Sequence, residues 1–216
     1  MGKMAKGFVF ATALVALSGC QSAYYSAMEQ VGVHKREILV DRVDAARDAQ
    51  EDAQVQFKDA LQQFRSVVNF DGGELDNLYE RLQDEFDDSA ESAENLANRI
   101  DKVESVAEAL FEEWEEELGQ YKNQKLRSQS SKQLRDTRYR YKGLIRAMRQ
   151  AEKRMQPVLS TLNDNVLYLK HNLNARAVGA LKGELRSVQQ QVDLLIRDME
   201  KSIRESDRFI KNFKPA

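Results

Sequence analysis

Residues 39–67 read LVDRVDAARDAQEDAQVQFKDALQQFRSV, and within them Leu39, Val43, Ala46, Gln50, Ala53, Phe57, Ala60, Phe64 and Val67 recur at alternating gaps of four and three. Gaps of three and four return a side chain to the same side of a helix, so sustained repetition predicts a helix buried along one stripe against other helices. Gln50 is the only polar member of the series. The alanines at 46, 53 and 60 predict close approach of a neighbouring helix wherever larger residues oppose them.

Three further stripes follow. The second is Leu75, Leu78, Leu82 and Phe86, continuing through Ala93, Leu96, Ile100, Val103, Ala107, Leu110 and Trp114. The third is Tyr141, Leu144, Met148, Ala151, Met155, Val158 and Leu162, extended by Val166, Leu169 and Leu173. The fourth is Val178, Leu181, Leu185, Val188, Val192, Leu195 and Met199, closing on Phe209 and Phe213. None alternates with period two, as a half-buried strand would. The expected fold is all-α: long antiparallel coiled-coil helices in an elongated four-helix bundle, one domain over residues 27–216, each helix roughly 40 to 50 residues. A stripe left uncovered would instead be a dimer surface.

Breaks place the turns. Asn69-Phe70-Asp71-Gly72-Gly73 gathers turn formers ahead of Glu74 and Asp76, acids suited to the positive end of a helix. A second turn is expected at Ser128-Gln129-Ser130-Ser131, after basic residues and in a stretch without a stripe. A third is expected around Asn172 to Asn174, although apolar spacing through Leu173, Ala177 and Leu181 also permits one continuous helix. Pro157 lies inside a strict stripe, predicting a kink rather than a stop.

Composition agrees with helices and narrows the chemistry. Of 216 residues, 31% are charged and only two are Pro, a balance that disfavours a compact mixed α/β enzyme. A single Cys excludes an intramolecular disulfide, and the residues three before His34 and His171 are Val31 and Tyr168, so the Glu-x-x-His pairs of two-metal bundle enzymes are missing. No nucleophile elbow, phosphate-binding loop or dinucleotide fingerprint occurs, and carboxylates on solvated helix faces are not driven apart into acid and base. No enzyme, cofactor, metal or small-molecule substrate is expected.

The first residues form an address. Met1 to Lys6 is basic, Gly7 to Ala16 is apolar and about half the length needed to span a bilayer, and Leu17-Ser18-Gly19-Cys20 follows. Leu17 to Cys20 resembles the bacterial lipobox, which implies acylation of Cys20 and removal of a signal peptide at residues 1–19. The alternative is an ordinary cleaved signal with a coincidental Cys, or an uncleaved apolar tail. Residues 20–26 would then be the lipidated Cys and a short tether. Gln21, standing where Asp commonly retains a lipoprotein at the inner membrane, points to the periplasmic face of the outer membrane. Several acyl chains make such an anchor effectively permanent.

Charge is segregated. Asp71 to Glu117 carries 18 acids and 3 bases, whereas Lys122 to Arg154 carries 12 bases and 2 acids. Antiparallel packing brings Glu113, Glu115, Glu116 and Glu117 level with Arg135, Arg138, Arg140 and Lys142, and internal pairing that sets helix orientation is the preferred interpretation. The sharper one makes Arg135, Arg138, Arg140, Lys142, Arg146, Arg149 and Lys153 a face for anionic partners. Nucleic acid is not expected in an exported protein, leaving lipid head groups, lipopolysaccharide or cell-wall polymer.

Cys20 to Tyr25, Val33-His34-Lys35-Arg36, Asn69 to Gly73, Ala109-Leu110-Phe111 with Trp114, Leu169 to Ala177 and Asp207-Arg208-Phe209-Ile210 together resemble a proteobacterial family of lipoproteins of unknown function, over nearly the full length. The resemblance supplies no activity and no catalytic residue. Within it, His171, Asn172, Asn174 and Arg176 read either as an Asn-capped turn or as a contact loop. Two functions are expected to compete. One is a structural or adaptor module binding another envelope protein or itself. The other is a membrane-surface module whose basic third helix binds anionic lipid.

Overall fold

A computed structural model describes residues 34–72 and 74–213. Four helices occupy nearly all of them: α1 Lys35–Val68, α2 Leu75–Leu118, α3 Gln124–Lys170 and α4 Ala175–Phe213. The signal peptide, Cys20, Gln21 and the tether lie outside the described residues. At 34, 44, 47 and 39 residues, α1 and α4 fall short of the expected range, which α2 and α3 meet.

Each helix packs on two neighbours, α1 on α2 and α4, and α3 on the same two, closing a ring of antiparallel pairs. Side chains fix the registers: Gln56 donates to Glu85 and Gln63 to the Leu78 carbonyl between α1 and α2, while Thr161 meets Gln191 between α3 and α4. The predicted stripes are the core. Leu39, Val43, Phe57, Phe64, Leu96, Ile100, Met148, Leu162, Leu195 and Met199 are fully or almost fully buried. Burying a large apolar side chain is worth roughly 1.5 to 3 kcal/mol, so these seams, not helix propensity, hold the bundle together. Ala46, Ala53 and Ala60 have no exposed surface and let α1 sit close to its neighbours. Leu173 departs from its stripe: it is 37% exposed, in the loop after α3.

Turn chemistry decides the helix ends. Gly72 has φ +142°, open to glycine and strained for any other residue. Asn174 caps α4, its side-chain oxygen accepting from the amides of Arg176 and Ala177 at 3.0 and 3.2 Å, so α3 and α4 are separate helices. The α3 helix runs through Pro157 without ending.

The second turn is not at Ser128–Ser131, which lies within α3, but at Gly119–Asn123. Asn123 starts α3 by accepting from the amides of Lys125 and Leu126 at 3.0 and 3.3 Å. The apolar stripe is missing from 124 to 133, where among the described residues only α2 lies alongside α3. Lys35 on α1 reaches Glu113 at 3.0 Å, and Arg36 donates to the carbonyl of Phe213 at 2.6 and 3.1 Å, so α1 starts and α4 ends level with Glu113. Beyond that level the α2–α3 hairpin continues past the described ends of α1 and α4 by roughly 10 Å. Trp114 Nε1 donates to Ser130 Oγ at 2.8 Å across the overhang, a polar contact doing there what Leu and Val do elsewhere.

Candidate functional site

The basic stretch of α3 divides between two directions. Arg138 pairs with Glu115 on α2, lies over the Phe111 ring at 5.3 Å and donates to the Phe111 carbonyl at 3.2 Å. About three turns further along the same side, Arg149 gathers Glu104, Asp101 and its own helix's Glu152, the last at 2.8 Å. The hydrogen bonds it donates to Glu104, outweighing the cost of burial, hold the Arg149 guanidinium protonated more firmly than usual, and those to Glu152 and Asp101 add to it. Arg138 likewise holds the Glu115 carboxyl below the usual carboxylate range. Tyr141 packs edge-on against Phe111 at 5.3 Å between these arginines, and burial, helped by the nearby Glu104 charge, pushes its phenol upward. Arg138 and Arg149 are therefore engaged with the acidic helix, as internal pairing requires.

Arg135, Lys142, Arg146 and Lys153 are not. Spacings of 7, 4 and 7 place them on one outward stripe of α3 about 27 Å long at 1.5 Å per residue. All four are exposed, and none makes an ion pair among the described residues; Arg135 donates only to Ser131, at 2.7 Å. Arg140 points away from this stripe and donates to Thr137 at 3.3 Å. The seven cations expected as one face are thus a four-residue stripe, two α2-facing arginines and Arg140.

Beside the stripe, α3 and α4 part to leave an open groove of about 490 Å³. Arg140, Lys142 and Arg146 border it from α3, Lys201 and Arg208 from α4, and Glu205, paired to Arg208 at 2.9 Å, is the only acid on its walls among the described residues. Lys201 and Arg208 escaped sequence reasoning because they belong to a helix of balanced charge, and only tertiary packing carries them to α3. The stripe itself was legible: the 7, 4, 7 spacing separates its members from Arg138 and Arg149.

The loop residues lie at the other end of the bundle. Asn172 donates to the Tyr168 carbonyl at 2.9 Å and closes α3, while Asn174 caps α4. His171 and Arg176 stand exposed beside them, with Tyr168 and Leu173 at 41% and 37% exposure. The Asn-capped turn is present, and its outer side chains face solvent. Among the described residues no group of His, Cys, Asp and Glu could hold a metal ion, and no helix is long and apolar enough to cross a membrane.

Fold and surface together define an elongated antiparallel four-helix bundle with an acidic helix beside a basic one. The chain belongs to the family described as "Protein of unknown function (DUF2959)", which matches residues 24–213 and so spans all four helices. No curated protein and no solved structure matches it.

Proposed function

We propose that this chain is a non-enzymatic, lipid-anchored adaptor rod of the bacterial envelope, acylated at Cys20 and sorted by Gln21 to the periplasmic face of the outer membrane. The observation that carries the reading is the opposite placement of two features. The chain enters α1 at Lys35, at the end where α4 finishes, whereas the loop holding His171, Asn172, Asn174 and Arg176 lies at the far end. The length of α4 separates them, 39 residues or about 58 Å at 1.5 Å per residue. An anchor at residue 20 would hold one end at the bilayer and present the loop's exposed His171, Arg176, Tyr168 and Leu173 to another envelope protein or a second copy.

Three experiments test it. Metabolic labelling with an alkyne fatty acid should mark the wild-type chain and leave Cys20→Ala unmarked, and Gln21→Asp should move the chain to the inner-membrane fraction of a density gradient. Unlabelled wild-type chain would refute the anchor. A photocrosslinker at position 171 should then trap a discrete partner whose yield falls with Arg176→Glu; crosslinks indifferent to that change would remove the adaptor role.

A second reading has its own support. The unpaired stripe Arg135, Lys142, Arg146 and Lys153 fits anionic lipid or lipopolysaccharide along the side of the rod. It requires the bundle to lie flat, with α3 against the head groups.

A further inference from the structure

The overhanging α2–α3 hairpin is the part of the bundle that the seams explain least. From Gly119 to Gln129 every residue is exposed, including Tyr121 at 37% and Leu126 at 50%. From Gly119 to Arg135 there are five bases, Lys122, Lys125, Arg127, Lys132 and Arg135, and no acid. None of the five makes an ion pair among the described residues, although Glu115, Glu116 and Glu117 stand about a turn behind on α2. A purely structural tip needs neither an exposed Leu and Tyr nor five cations without counter-charges. The overhang also projects at the end where the chain enters α1, beyond the level of Lys35 and Phe213.

We infer that the hairpin tip is a second membrane contact: Lys122, Lys125 and Arg127 engage the head groups of an anionic bilayer while Tyr121 and Leu126 settle at the interface, holding the rod upright. Bases near an anionic surface attract it within a Debye length, each contributing roughly fivefold to partitioning, and an amphipathic Tyr suits the head-group layer. The inference deepens the anchored-rod reading by supplying a contact that orients the rod, since an acyl anchor at Cys20 retains the chain without fixing its tilt. It competes with the flat orientation that the lateral stripe of α3 would impose.

The test is cosedimentation of the chain from Gln21 onward, which retains the whole bundle, with vesicles of phosphatidylcholine alone or mixed with phosphatidylglycerol. The expected result is salt-sensitive binding to the anionic vesicles only, weakened at least ~10-fold by Lys122→Glu/Lys125→Glu/Arg127→Glu and also by Leu126→Asp, yet changed less than about twofold by Lys142→Glu/Arg146→Glu. All of these positions are exposed, so the circular dichroism and melting of each variant should match the parent. Binding lost with the Lys142 and Arg146 reversals but kept by the tip variants would overturn the inference and leave the flat lipid reading standing. No binding to either vesicle would overturn both, and the fatty-acid labelling of Cys20 would stand or fall separately.

Discussion

Gln50 shows how one polar residue behaves inside an otherwise apolar seam. It is fully buried on α1 and donates to Ser202 Oγ on α4 at 2.8 Å, while its own side-chain oxygen has no partner. A buried polar atom without a partner costs about 1 to 3 kcal/mol, so the pair aligns α1 with α4 more than it stabilises them. Ser202→Ala alone should lower urea-unfolding stability by about 1 kcal/mol or more, because Gln50 then loses its only side-chain acceptor. Gln50→Leu with Ser202→Ala should be neutral or stabilising, and a double variant weaker than the single would show that the pair supplies net stability.

Glu85 offers a pH-dependent case at the same scale. Burial raises its carboxyl above the usual range, partly offset by the hydrogen bond from Gln56, with Asp59, Asp88 and Asp84 adding repulsion. The ionised form is thus disfavoured by the fold. The penalty is complete above the folded-state pKa and vanishes as pH falls below the unfolded one. Glu85→Gln should raise the melting temperature at pH 7, and the gain should shrink as pH approaches 4; a gain independent of pH would exclude the ionisation as its source.

At the scale of elements, the same helices carry two kinds of seam. In the four-helix region, packing of Ala53 and Ala60 leaves no space, so Ala53→Leu should cost about 1 to 3 kcal/mol through overpacking, measured by urea unfolding. In the overhang, Trp114 and Ser130 replace that seam with one hydrogen bond and one aromatic surface. Ser130→Ala should therefore change global stability by less than about 1 kcal/mol while speeding amide exchange of α3 before Leu134, since that segment can open without the core. The misplaced second turn belongs to this scale. Ser128 to Ser131 looks like a break only if every helix must carry an apolar stripe, and a hairpin two helices thick has no such requirement.

For the molecule as a whole, the closing contact is between the start of α1 and the end of α4. Arg36 caps the last carbonyl of α4 and lies over the Phe213 ring at 4.9 Å, and Phe213 stacks on Phe209 at 4.9 Å. Arg36→Ala should destabilise the bundle by about 1 kcal/mol in thermal or urea unfolding, a modest amount because the arginine is exposed, and should fray α4 from its C-terminal end first. Only the whole bundle explains the charge pattern. Three α2–α3 ion pairs, all made by Arg138 and Arg149, account for a small part of the opposite charges on those helices. At about 0 to 1 kcal/mol for each exposed pair, they orient α3 against α2; Arg154 pairs instead with Asp198 on α4, and the stripe of Arg135, Lys142, Arg146 and Lys153 is left for the surface.

The sequence alone determined the all-helical build and most of the core, because burial in a bundle repeats at 3.5 residues and leaves the same gaps in the chain from Leu39 to Phe213. It also determined the turn at Gly72, where backbone chemistry is local, whereas at Asn174 it left a turn and a continuous helix both open until the cap on α4 separated them. The tertiary structure decided where α3 begins, since the Asn123 cap is followed by no apolar stripe from 124 to 133 to mark a helix, and only the packing of Trp114 on Ser130 shows that this stretch lies along α2. It likewise decided which cations are spent and which are free, because an arginine's partner is chosen by the helix beside it: Arg149 lies against Glu104, whereas Arg146, three residues earlier, opens toward Lys201 and solvent.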